Sequence, residues 1–270
     1  MRSGGSWMVS QTRAPTASLG PTRSGRDDNY NQPPTALFRD IFIHEIRTPL
    51  TVARLALDLL RAADATEVGR FVAWVEESLE WIQRLAESVP AWTALLTGEV
   101  VLNRRLITVK EWVEPALSLI QPLLAWKGQQ LRFICAVPVA PVWGDPFWLQ
   151  QAVVNLLTNA VRYGPRGDTI EVVVDSSRTK VKLWVTDHGP GLTDHELRRL
   201  FRPYARARPD NADGRGLGLF LVRRVAELHD GTVDVSSRPG EVTTFRITLP
   251  AAGYEPVNGG VSYHRHGRRP

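Results

Sequence analysis

The sequence of 270 residues holds a single cysteine, so no internal disulfide can staple the fold. Cys135 sits in the apolar stretch LRFICAV, where an inert, buried thiol is expected rather than a reactive one. No run of 18 or more apolar residues occurs, so no membrane span is expected. The first residues lack a basic stretch followed by an apolar segment and a small-residue cleavage site, so nothing signals export. A cytoplasmic location is expected. Charge of one sign is scarce as well. Lys and Arg total 33 against 28 Asp and Glu, a net +5. Residues 1–35 carry four Arg and two Asp, and residues 251–270 carry three Arg and one Glu, so each tail is +2 and residues 36–250 only +1. Both tails are rich in Gly, Ser, Thr, Pro and Arg, which marks solvated disorder over 1–34 and 251–270. No nucleic-acid partner is expected from so even a balance.

What is present divides into two textures. From residue 35 to about 63, Phe38, Phe42, Ile46, Pro49, Ala53, Leu57 and Leu60 fall within about 60° of one line at 100° per residue, the pattern of an amphipathic helix. Val68, Val72, Val75, Leu79, Ile82, Ala86 and Val89 then alternate by four and three, a heptad seam on a second helix. Two antiparallel helices are half of a four-helix bundle, so the seam predicts a second copy of the chain. Pro90 is expected to bend this helix without ending it. After Gly98 the pattern predicts helices over 111–127, 146–163, 193–200 and 217–229, and strands over 131–137, 169–175, 180–187, 232–236 and 243–249. Strands adjoin one another instead of alternating with helices, so the expected class is α+β: a helical hairpin over 35–98, then a mixed sheet with helices on one face over 99–250.

Four groups of residues carry chemistry. His44 lies about 200° around the first helix from Phe42, nearly opposite its apolar line, with Thr48 one turn on. A lone helical histidine is usually a surface residue. Here Glu45 follows it, and a carboxylate can accept an imidazole proton and make the other ring nitrogen a better nucleophile. Pro49 supplies no N–H to the Glu45 carbonyl and crowds it. A solvent-facing histidine beside a carboxylate suits a phosphoryl acceptor. Asn155 and Asn159, four apart, project their amides side by side, although helical amides often only cap or face water. Asp187-His188-Gly189-Pro190-Gly191 ends a strand and by pattern alone could be a turn. Gly214, Gly216 and Gly218 alternate at the mouth of a helix, a loop whose N–H groups suit phosphates, though without dinucleotide-fold spacing.

FIHEIRTPLT closely resembles the H-box of sensor histidine kinases of two-component systems. The resemblance makes His44 the phosphoacceptor, Glu45 its base and Thr48 a residue that positions water when the same domain dephosphorylates its partner. NLLTNAVRYG resembles the N-box, which implies Asn159 as the Mg²⁺ ligand, Asn155 near the nucleotide phosphates, Arg162 on phosphate and Tyr163 against the base. DHGPG resembles the G1 box, with Asp187 accepting from the adenine amino group and Gly189 and Gly191 letting the backbone pass the ring. GRGLGL resembles the G2 box, carrying Gly214, Gly216, Leu217 and Gly218. LFRPY resembles the F-box with Phe201, and Arg206 matches a lid arginine that can reach the γ-phosphate.

Five boxes in order cover about residues 36–250 and imply a dimeric four-helix bundle followed by a Bergerat-type α/β sandwich. They imply ATP and Mg²⁺, autophosphorylation of a histidine, and a response-regulator receiver domain as partner, with phosphatase activity toward it as a further expectation. Absence of a visible sensor domain points to truncation or to a separate sensor protein. The rivals are an ATPase of the gyrase, Hsp90 and MutL group, a degenerate kinase acting as scaffold, and an anti-sigma serine kinase. The first and last lack the histidine-bearing hairpin; against the scaffold, each box keeps its polar residue. One departure is Asp230 in ELHDG, where the family mostly has glycine.

Overall fold

The computed structural model describes residues 34–97, 99–136, 138–205 and 216–253. Both expected disordered tails lie outside these residues, apart from Pro34 and 251–253. Helix α1 (Pro34–Arg61) runs unbroken through Pro49, and α2 (Val68–Glu87) returns beside it. The turn between them is fixed by Asp64, whose Oδ1 accepts the Thr66 N–H at 2.9 Å and the Glu67 N–H at 3.2 Å. Helix α2 stops at a Ser88 cap and α3 (Val89–Thr97) starts afresh. Pro90 therefore accompanies a break and not the expected bend, since it has no N–H for the preceding turn.

The second unit opens with β1 (Arg105–Ile107) and three short helices, α4 (Val109–Trp112), α5 (Glu114–Leu119) and α6 (Gln121–Lys127). One helix over 111–127 was expected. Pro115 and Pro122 divide it, each seated in the first turn of its segment, where a missing N–H costs nothing. Next come β2 (Gln130–Cys135), β3 (Val142–Gly144), α7 (Pro146–Tyr163), β4 (Thr169–Ser176), β5 (Lys180–Asp187) and α8 (Asp194–Leu197). The chain ends in α9 (Gly218–Leu228), β6 (Thr232–Arg238) and β7 (Val242–Pro250). Strands β1 and β3 were not expected; they pair antiparallel as a small ribbon. The five expected strands form one sheet in the order β2-β4-β5-β7-β6, with β2 parallel to β4 and the other neighbours antiparallel.

Period-two alternation sends Val172, Val174, Leu183, Val185 and Ile247 into the core beneath α7 and α9. The helices lie on that face, and the other face stays half open. Cys135 is half-buried where a buried thiol was expected; what burial it has, and the nearby Glu114, push its pKa up. Asp230 takes the left-handed conformation at φ +56°, the kind of position glycine fills without strain, and Arg104 pairs with its carboxylate at 2.8 Å.

Two features of the hairpin matter for the site. The row Phe71, Ser78, Trp81 and Leu85 of α2 is buried, whereas the expected seam residues Val68, Val72 and Leu79 are exposed. The hairpin also packs onto the second unit. Trp92 meets Trp148 edge to face at 4.7 Å, Trp81 lies 5.6 Å from Phe147, and Ser118 Oγ donates to Glu77 at 2.7 Å.

Candidate functional site: a histidine beside an open cavity

Helix α7 is the frame of the site. Asp145 caps its start by accepting the Phe147 N–H at 3.0 Å, and Pro146 fills the first position, where no donor is needed. Its far end is closed by Lys127, whose Nζ donates to the carbonyls of Val161, Arg162 and Gly164 at 2.5–2.9 Å. A cation there also suits the negative end of the helix dipole. Both ends being pinned, the side chains of α7 are held in fixed directions.

Between α7, the end of β5 and the start of α9 lies a cavity open to solvent and lined by both polar and apolar side chains. Asn159, Arg162 and Tyr163 line it from α7, and Asp187 and Gly191 from the strand end. Gly216, Leu217 and Gly218 line it from the mouth of α9. His44 reaches the same cavity from α1. Gly216 has φ +70°, and a Cβ there would stand 2.2 Å from the Ala205 carbonyl oxygen, so only glycine fits.

His44 does not face solvent as its own helix pattern predicts. Its side chain is 11% exposed, because residues of α7 and α9 stand around it at the shared cavity, while Arg47 and Thr51 on the same side of α1 stay exposed. His44 Nδ1 stands 3.1 Å from Glu45 Oε1. A carboxylate there fixes the tautomer with the proton on Nδ1, which leaves the Nε2 lone pair free. Glu45 is itself 2% exposed, and its Oε2 accepts from the side-chain amides of Asn155, at 3.1 Å, and Gln151. Asn155 thus turns toward Glu45 and is not among the cavity's lining residues. Nor are Glu45, Thr48, Gly189 and Phe201. Thr48 is half-buried one turn beyond His44, and the Phe201 ring packs on Phe245 at 6.5 Å. Arg206 and Gly214 lie outside the described residues.

Asp187 Oδ1 accepts the Gly189 N–H at 2.9 Å. Burial pushes its pKa up to about 6, against the Gly189 N–H, the neighbouring His188 and Lys127, which pull it down; Asp168 adds to the rise. Such shifts gather at functional sites, and structural ion-pair networks produce them too. Tyr204 joins the two units from another side, its hydroxyl donating to Asp40 Oδ2 at 3.3 Å, one helical turn before His44.

Comparison with known proteins bears on the family. The family model of the His Kinase A (phospho-acceptor) domain matches residues 43–89, and that of the histidine kinase-, DNA gyrase B- and HSP90-like ATPase matches residues 144–253. The chain belongs to the histidine kinase family. It is 34% identical over 216 residues to the sensor-like histidine kinase SenX3 of Mycobacterium tuberculosis, across 77% of this chain and 52% of the relative. It is 32% identical over 213 residues to the histidine protein kinase DivJ of Caulobacter vibrioides, across 77% of this chain and 36% of that protein. The histidine kinase AdeS of Acinetobacter baumannii shares the fold, with a TM-score of 0.51 at 22% identity over 78% of this chain and 98% of that one. The chain spans about half the length of the curated relatives it matches. Among the described residues no helix is long and apolar enough to cross a membrane.

Sequence reasoning overlooked Gln151, which sits among apolar residues of α7 and reads as a spacer. It also missed Thr243 and Phe245 of β7, which line the cavity from a strand with no motif of its own.

Proposed function

We propose that this chain is a protein histidine kinase that moves the γ-phosphoryl of ATP to His44 and then to an aspartate of a response-regulator receiver domain. The observation that carries the reading is that His44, paired with Glu45, lines the same cavity as Asn159 and Asp187. A nucleotide-driven clamp has no use for a histidine–carboxylate pair there. The Nε2 lone pair attacks the γ-phosphorus, the bond to the ADP oxygen breaks, and the Nδ1 proton passes to Glu45 Oε1. Asp187 orients the adenine through its amino group, with Tyr163 against the base and Arg162 on the phosphates. The side-chain oxygen of Asn159 is the hard donor for Mg²⁺, which when bound neutralises phosphate charge. Thr48 serves the reverse task, placing water when the regulator is dephosphorylated. Labelling with γ-labelled ATP tests the reading: the product should be acid-labile and alkali-stable, as a phosphoramidate is and a phosphoserine is not. An acid-stable label, or none, refutes it.

The domain division accompanies this function, with residues 35–98 as the dimerising and phosphoacceptor hairpin and 99–250 as the ATP-binding domain. Leu50, Leu57, Val68, Val72 and Leu79 stand exposed along α1 and α2, an apolar stripe that a second copy would cover to complete a four-helix bundle. Burying a seam of this length contributes on the order of 10 kcal/mol before entropy is subtracted. The chain is therefore expected to scatter light as a dimer at micromolar concentration. Leu50→Glu with Leu79→Glu, both at exposed sites, should give a folded monomer that still binds ATP. A monomeric parent would refute the assignment.

A further inference from the structure

Gln151 lies one turn before Asn155 on α7 and is 1% exposed. A buried amide is costly unless its polar atoms are bonded. Among the described residues the Gln151 side chain makes one hydrogen bond, from Nε2 to Glu45 Oε2, and its Oε1 has no partner. A carboxylate only accepts, so the NH₂ end must face it. The side chain does not line the cavity. Its one polar task among these residues is to hold the residue beside His44, 106 positions earlier in the chain.

The two oxygens of Glu45 are thereby given different work. Oε2 takes amide hydrogens from Gln151 and Asn155, and Oε1 is left to His44 Nδ1 at 3.1 Å. The terminal torsion of a glutamate is broad and would otherwise let the carboxylate swing. Both donors come from α7, the helix that bears Asn159 two turns further on. Seating the acceptor helix against α7 and aligning the proton acceptor are therefore one event.

We propose that Gln151 is a positioning residue for phosphoryl transfer to His44, holding Glu45 Oε2 so that Oε1 receives the Nδ1 proton as the Nε2–phosphorus bond forms and the bond to ADP breaks. The inference rests on His44 being the acceptor and Glu45 its base. The full chain carrying Gln151→Met, which keeps the length and removes both polar atoms, tests it, with Gln151→Leu as a second variant. The maximal labelling rate should fall roughly 10- to 100-fold, the usual penalty for misplacing a reacting group by a fraction of an ångström to an ångström. The KM for ATP and the affinity for ATP by titration should stay within about two-fold, because a group acting through Glu45 makes no ground-state contact with nucleotide. In a Glu45→Gln background, Gln151→Met should cost less than about a further two-fold, since the residue through which it acts is already disabled. A full labelling rate, a KM that rises in step, or a loss that multiplies with that of Glu45→Gln would each overturn the proposal. So would loss of ATP binding in both variants, which would make Gln151 a structural part of the nucleotide domain. An unlabelled parent would instead refute the kinase reading.

Discussion

His44→Ala is expected to abolish labelling from γ-labelled ATP while ATP affinity changes by no more than about two-fold. The imidazole lines the cavity from α1, and Asp187 and Asn159, proposed for the adenine and the metal, belong to other elements. Removing the acceptor thus removes a reacting atom and none of the groups assigned to nucleotide binding. Asn159→Asp should behave in the complementary way, keeping substantial nucleotide binding and losing most transfer, since positioning and charge neutralisation supply most phosphoryl-transfer catalysis. A mixture of the two silent variants then separates geometries. Here His44 and Asn159 of one chain line one cavity, and the donors on Glu45 come from that same chain. Differently tagged His44→Ala and Asn159→Asp chains, co-purified as a mixed dimer, should therefore stay unlabelled. Label on the Asn159→Asp chain would mean that the histidine is served by the neighbouring copy.

Asp187→Asn is expected to weaken ATP binding about 5- to 150-fold, because an amide can turn its NH₂ toward the adenine amino group and oppose donor to donor, at a cost of roughly 1–3 kcal/mol. The Gly189 N–H already occupies Oδ1, which leaves Oδ2 as the free acceptor. GTP carries a carbonyl at that ring position and should lose less or gain. Titration calorimetry with both nucleotides decides it, and unchanged ATP affinity would reduce this segment to a turn. The same substitution should alter stability in the opposite direction. Burial raises the Asp187 pKa from an ordinary 3.8 to about 6, so the folded state keeps a proton that the unfolded chain releases. Stability conferred by that proton is present below 3.8, fades as pH rises to about 6, and is absent above. At neutral pH the ion is held at a penalty on the order of 3 kcal/mol. Urea titration without nucleotide should find Asp187→Asn more stable than the parent at pH 7, with the gap narrowing toward pH 4.

The cavity was legible in the sequence because its chemistry is local. Asn159, Arg162 and Tyr163 sit within one stretch of α7, and Asp187 and the glycines of α9 each occupy a strand end or helix mouth that turn chemistry announces. The hairpin was legible as two helices. Its facing was only half so, because α2 carries two apolar rows, and the regular heptad outshone the row of Phe71, Trp81 and Leu85 that meets the rest of the chain. Pro115 and Pro122 were in plain view as breakers of the 111–127 helix, yet apolar spacing across them suggests continuity. Strands β1 and β3, at three residues each, are shorter than any alternation can reveal. What no local pattern could show is contact between units. The burial of His44 and the partner of Gln151 depend on α1 lying against α7, and a wheel drawn for one helix cannot anticipate what covers its far side.

That coverage sets a timetable. With its side chain 11% exposed, His44 is flanked by residues of α7 and α9 around the cavity. A receiver domain bringing an aspartate to the same nitrogen would need the space that α7 and its neighbours fill. On the proposed reading, loading and unloading of the histidine would then take turns, like a lock with two gates of which only one stands open. On that reading α7 would withdraw between the two steps, and both amides that hold Glu45 would go with it. The carboxylate proposed to help fill the site would then be free to swing, so the step that admits a regulator would also disarm the transfer.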